Sequence, residues 1–120
     1  MKLSDFDFRV WDNGIFHYPI KINNDILDIN LSIGINDEIE LFTGLYDKNG
    51  KKIYEEDILY YFKDCSKDEV FKYQVLFKEG AFYLVESYNG FVDDEDLISE
   101  FLLSEMEIMG NIHENADLLN

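Results

Sequence analysis

Apolar and polar residues alternate with a period of two along much of this chain, the pattern of half-buried strands. Phe6, Phe8 and Val10 alternate with Asp7 and Arg9. Asp12-Asn13-Gly14 then reverses the chain, with Asn-Gly at the tip, and residues 15–18 return as a second strand. Pro19 confines that strand to an edge or an end. After a turn at Asn23-Asn24-Asp25, Ile29, Leu31, Ile33 and Ile35 alternate with Asn30, Ser32, Gly34 and Asn36. A turn at Asn36-Asp37 leads to Ile39 and Leu41, which alternate with Glu38 and Glu40. Ile58-Leu59-Tyr60-Tyr61-Phe62 hardly alternates, which predicts a strand covered on both faces. A polar loop over 64–69, a long strand over 70–77, a tight turn at Glu79-Gly80, a strand over 81–85 and a turn at Tyr88-Asn89-Gly90 continue the series.

The period changes after that. Leu97, Ile98, Phe101 and Leu102 fall at helical spacing, and the acidic run Asp93-Asp94-Glu95-Asp96 stands where a helix N-terminus favours anions. One short helix over about 93–103 is predicted. Met106, Ile108 and Ile112 then form a closing strand, with Gly110 as a bulge, and the chain from Asn115 reads as a tail. Short strands at close spacing with polar turns predict a mainly β protein. The expected architecture is a small SH3-like β-barrel over 40–120, with the hairpin and strand of residues 1–39 packed on it as an N-terminal extension.

The densest turn chemistry lies between Phe42 and Ile58. Asp47-Lys48-Asn49-Gly50 places two Asx residues and a Gly in one reversal, and Gly44 after Thr43 suggests a bulge or a close backbone approach. Ile53-Tyr54 restarts an apolar run, and Glu55-Glu56-Asp57 makes a polar corner. Phe-Thr-Gly-Leu, Asp-Lys-Asn-Gly-Lys, Ile-Tyr-Glu and Asp-Ile in this order resemble the core motif of the YopX family, small proteins of phages and prophages of low-GC bacteria. Phe8-Arg9-Val10-Trp11-Asp12 is similar to the family's Phe-Arg-Ala-Trp-Asp. Gly110-Asn111-Ile112-His113-Glu114-Asn115 is similar to its Gly-Asn-Ile-Tyr-Glu-Asn. At the corner the family has Glu-Gly-Asp-Ile, and Glu56 here replaces the Gly. The resemblance spans nearly the whole chain, supports the barrel, and carries no activity over to any residue. Phe8, Arg9, Trp11, Asp12, Thr43, Gly44, Asp47, Asn49, Gly50, Tyr54, Asp57, Gly110 and Asn111 are the motif residues, expected to be structural.

Charge adds the strongest functional hint. The 120 residues carry a net charge of −16, and all ten basic residues lie at or before Lys78. A polyanion does not bind DNA or an anionic membrane through its bulk field. Its natural partner is basic. The residues expected to meet such a partner are Glu86, Asp93, Asp94, Glu95, Asp96, Glu100, Glu105 and Glu107. The chain is 47% apolar and 16% aromatic, enough for a core and more Phe and Tyr than that core needs, which predicts a homo-oligomer. The first residues lack an apolar signal segment, no run is long enough to span a membrane, and the single Cys65 fits a reducing cytoplasm.

Catalytic constellations are absent from the pattern. There is no phosphate-binding glycine loop. His17 and His113, the only histidines, read as packing residues, and no His/Cys spacing suits a metal. The turn Asp47-Lys48-Asn49-Gly50 hints at a calcium loop, but its Gly comes early and the terminal Glu is missing. Neither a cofactor nor an enzyme activity is expected. Three classes follow. The first is a phage-encoded interaction protein whose carboxylates stand in for phosphates and block a bacterial nucleic-acid-binding or defence protein, as anti-restriction and anti-CRISPR inhibitors do as a class. The second is an oligomeric structural module. The third is a small enzyme or ligand-binding barrel whose pocket gathers Arg9, Trp11, His17 and Tyr54.

Overall fold

The computed structural model describes residues 7–18, 20–22, 25–28, 38–62, 70–88 and 91–120. The alternating run over 29–35, Pro19, the turns at Asn23-Asn24 and Asn36-Asp37, the loop 64–69 with Cys65, and Asn89-Gly90 lie outside them. The protein is mainly β, with one short α-helix near the C-terminus, an arrangement compatible with a small barrel. It divides into two compact units, Met1–Phe42 and Thr43–Asn120.

In the first unit β1 (Phe8–Asp12) pairs antiparallel with β2 (Ile15–His17) and with the start of β5 (Glu38–Tyr46). Asn13 and Gly14 both take positive φ, 46° and 92°, the geometry that matches a two-residue turn to strand twist. β3 (Ile20–Ile22) and β4 (Asp25–Asp28) form a separate two-stranded hairpin; the sequence pattern offers a turn between them but neither strand, and Asp25 belongs to β4.

The second unit is built on a five-stranded antiparallel sheet in the order β10-β9-β8-β7-β11. Its strands are β7 (Asp57–Phe62), β8 (Val70–Lys78), β9 (Ala81–Tyr88), β10 (Phe91–Leu97) and β11 (Met106–Asn111). The end of β5 and β6 (Lys52–Tyr54) belong to the same unit. Alternation sends Leu59, Val75, Leu84 and Met106 to one face, where Ile53, Ile98 and Leu103 complete a buried core. Each of these side chains contributes about 1.5–3 kcal/mol by leaving water. At the β8–β9 turn Glu79 and Gly80 have φ of 53° and 79°, so this two-residue hairpin needs left-handed backbone twice in succession.

One expectation is corrected here. Residues 91–97 are a strand, paired with β9 from Phe91 opposite Tyr88 to Leu97 opposite Tyr83, and the predicted helix over 93–103 does not form. The free edge of β9 offers a ladder of hydrogen bonds, whereas an isolated helix of that length is marginal in water. Leu97 and Leu102, half of the apparent apolar stripe, remain exposed. Two 3-10 turns follow, Ile98–Glu100 and Leu103–Glu105, and their tighter winding sends Ile98, Phe101 and Leu103 towards the core.

The α-helix lies later, as α1 (Ile112–Asn115), and the expected tail from Asn115 is a packed 3-10 turn, Ala116–Leu119. Leu119 is buried, the Tyr60 hydroxyl donates to the Leu118 carbonyl at 2.5 Å, and Lys72 Nζ donates to the Asn120 carbonyl. Among the described residues no helix is long and apolar enough to cross a membrane.

Candidate functional site

The motif residues are anchors. Asp47 is buried, and its Oδ1 accepts from the backbone N–H of Asn49 at 2.8 Å and of Lys51 at 2.9 Å. Its Oδ2 accepts from Ile108 N–H in β11 at 3.0 Å, while Lys48 N–H donates to the Met106 carbonyl. Burial alone would raise the Asp47 pKa. The three N–H donors, from Ile108, Lys51 and Asn49, and the charge of Lys51 outweigh it and hold the carboxyl below the usual Asp range. The chelate that looks like a calcium loop in sequence is filled by backbone donors. Thr43 Oγ1 donates to the Ile53 carbonyl, Gly44 has a φ of 84°, and Gly50 N–H closes the turn on the Asp47 carbonyl.

The corner after Tyr54 works similarly, since Asp57 Oδ2 accepts from Tyr54 N–H at 2.9 Å. Glu56 takes the left-handed conformation, φ 68°, that the family's Gly would adopt freely. Its backbone is held there by bonds to Val75 O and from Ile112 N–H, and Gln74 Nε2 donates to its carboxylate. A left-handed non-glycine residue costs about 1–2 kcal/mol. Glu56→Gly and Glu56→Ala both lose the Gln74 bond, but only Gly relieves the backbone. We therefore expect the Gly variant to be more stable than the Ala variant by about 1 kcal/mol. Equal urea midpoints for the two would remove the strain from this account.

Asn111 caps α1, accepting from His113 N–H and Glu114 N–H at 3.0 Å each, with Glu114 reached in return by its Nδ2. Gly110 is required by a close approach: a Cβ there would lie 2.3 Å from Asn115 Oδ1 and 2.9 Å from Asn115 Cβ. In the first unit Arg9 Nε donates to Glu40 Oε1 at 2.8 Å, both residues buried, and the guanidinium lies 4.2 Å from the Phe16 ring centre. Phe8 is buried, Trp11 packs edge-on against Phe16, and Asp12 Oδ2 lies 3.5 Å from His17 Nε2. Arg9 and Trp11 share one face of β1, whereas His17 stands opposite Val10 on the other, so these three do not converge on one pocket. Tyr54 belongs to the second unit and is buried.

The expected partner-binding acids do not share one face. Tyr73, Glu86 and Asp94 stand in one cross-strand row on β8, β9 and β10, with Asp96 next along the same face. Asp93 is the point where β10 slips register against β9. Glu95 is on the opposite face, in an ion pair with Lys78. Glu107 lies on β11 at the other edge of the sheet, 3.5 Å from Lys48 Nζ and within reach of Asn49. Glu100 and Glu105 sit in the two 3-10 turns. Among the described residues none of Asp94, Asp96, Glu100 and Glu105 is paired with a basic side chain. Beside them Phe91, Val92 and Leu102 are 77%, 69% and 70% exposed, so the outer edge is both acidic and apolar.

Among the described residues, hollows open beside β10 and the turns that follow it. One, of about 250 Å³, is lined by Tyr61, Tyr73, Phe101, Leu102 and Met106 with Glu100 and Glu105. Tyr73 meets Phe101 edge-on at 5.2 Å. Burial, then Glu86, Asp94, Asp96 and Tyr61, push the Tyr73 hydroxyl up to about 12. The other, of about 480 Å³ and more open, is bounded by Tyr83, Glu95, Asp96, Leu97 and Glu100. Tyr61, Tyr73 and Phe101 carry no motif and were not legible as a group. Only the β7–β8 register, Tyr61 opposite Phe71 and Leu59 opposite Tyr73, brings the two tyrosines to one face.

No curated protein matches this chain. Among solved structures, the crystal structure of protein EF1440 from Enterococcus faecalis is similar, with a TM-score of 0.60 at 23% identity over 96% of this chain and 98% of that one, which shows a shared fold. The family model described as YopX protein matches residues 7–120, where the anchoring turn, the corner and the capped C-terminal helix all lie. The chain belongs to the YopX family.

Proposed function

We propose that this protein is a phage-encoded binding protein without enzymatic activity, whose β10 edge and following turns dock on a basic bacterial protein and occupy its nucleic-acid-binding surface. Family membership suggests a small phage-type protein, which is the coarser part of this reading. The observation that carries the rest is the edge itself. Asp94, Asp96, Glu100 and Glu105 are exposed without basic partners among the described residues, next to exposed Phe91, Val92 and Leu102. Carboxylates on a strand are held at fixed spacing, as phosphates are along a nucleic-acid backbone, and adjacent apolar area supplies contact that charge alone does not. An identical edge would bring like charges together, which disfavours self-pairing of β10.

The test is charge reversal of Asp94, Asp96, Glu100 and Glu105 to Lys. These side chains are exposed and unpaired with bases, so the fold should survive. Wild type, immobilised in bacterial lysate at low salt, should retain nucleic-acid-binding proteins that added duplex DNA displaces, and the reversed variant should not. Retention that ignores salt and DNA, or recovery of no nucleic-acid-binding protein, would end this reading.

A further inference from the structure

We propose that the hollow between Tyr61, Tyr73 and Phe101 receives a single arginine side chain of the basic partner, an inference that rests on the docking reading above. Three observations carry it. The hollow holds about 250 Å³, below the roughly 300–1,000 Å³ of sites for drug-sized ligands and suited to one side chain. Its walls are the rings of Tyr61, Tyr73 and Phe101 with Leu102 and Met106, and among the described residues the charged ones lining it are Glu100 and Glu105, both exposed and so placed at the rim. Beyond Tyr73 the row continues with Glu86 and Asp94 on β9 and β10, so the floor borders further carboxylates.

This combination selects a cation with a flat apolar face. A guanidinium lies against a ring and at the same time gives paired N–H donors to a carboxylate. An ammonium satisfies the charge but is more strongly hydrated and has no planar face to stack. A neutral planar group stacks but leaves the rim carboxylates without a counter-ion. Arginine is the one side chain that meets ring and carboxylate together. Burial is the main cause of the raised Tyr73 hydroxyl pKa, and the smaller share from Glu86, Asp94 and Asp96 agrees with a negative potential beside the hollow.

The experiment uses the full chain with its aromatic side chains isotopically labelled. Short peptides, identical except for one central arginine, lysine or citrulline, are titrated in and followed by NMR. The arginine peptide should shift Tyr61, Tyr73 and Phe101 signals, bind at least about tenfold more tightly than the citrulline peptide, and exceed the lysine peptide by a smaller factor. Glu100→Gln with Glu105→Gln should weaken it by about tenfold while the β-sheet signals stay in place. Equal binding of arginine and citrulline peptides, equal binding of arginine and lysine peptides, or shifts confined to the carboxylate residues would each overturn the assignment. The two readings fail separately. If the hollow is wrong and the docking edge right, the arginine peptide leaves the three rings unshifted while lysate capture is still lost on reversal of Asp94 and Asp96, which do not line the hollow. If the docking reading is wrong and the hollow right, the arginine peptide still shifts the three rings while no nucleic-acid-binding protein is captured.

Discussion

Glu40→Ala should destabilise the first unit by about 3–5 kcal/mol, because it leaves the Arg9 guanidinium in a desolvated site without its carboxylate. Arg9 and Glu40 are 5% and 2% exposed and bonded at 2.8 Å, and they face each other directly across β1 and β5. The Phe16 ring 4.2 Å from the guanidinium returns only part of that loss. Removing both charges is a different experiment. Arg9→Met with Glu40→Leu leaves no buried ion and keeps the volume apolar, so it should cost far less than Glu40→Ala alone and is able to come out neutral. Urea denaturation of Glu40→Ala and of the double variant checks this. A loss below about 1 kcal/mol for Glu40→Ala would mean that water reaches the pair.

Asp47→Ala is the second large effect, expected at about 3 kcal/mol or more. The substitution removes three hydrogen bonds to a charged acceptor and leaves the N–H groups of Asn49, Lys51 and Ile108 to find other partners. It also unties the turn from β11, where Lys48 N–H to Met106 O is the neighbouring contact. The same carboxyl sets an acid limb. Its pKa is lowered in the folded protein, so its contribution is fully present above the unfolded Asp value and is lost as pH falls through the folded one. Wild type should therefore lose stability on acidification more steeply than Asp47→Asn, which has no proton to take up there. Parallel pH–stability curves for the two would contradict this assignment.

Local features were legible and distant ones were not. Asn13-Gly14 and Gly80 announce their turns because positive φ suits these residue types, whereas nothing in the residue type announces the left-handed Glu79. The lack of alternation over 58–62 announces a strand, in which Ile58 and Leu59 are buried while Tyr60, Tyr61 and Phe62 are half-buried. Residues 91–97 misled because four acids before an apolar stripe fit a helix start, while the competing partner, the edge of β9, is invisible to a local window. The Asp47–Ile108 bond joins residues 61 apart, and nothing near Asp47 points to its partner. The aromatic hollow depends on register: a slip of one residue between β7 and β8 would turn Tyr61 and Tyr73 to opposite faces. Arg9 is the single arginine of the chain, but Glu40 is one of many acids in the sequence, and only strand pairing places it opposite.

The position of β11 has a consequence for how the chain is made. β7, β8, β9 and β10 pair each with its sequence neighbour, so three hairpins can zip as they leave the ribosome. β7 then keeps one bare edge, with Ile58 and Leu59 on it, until Met106–Asn111 has been synthesised and can pair there. Over that interval the nascent sheet carries an unpaired apolar margin, the feature that recruits chaperones or neighbouring chains.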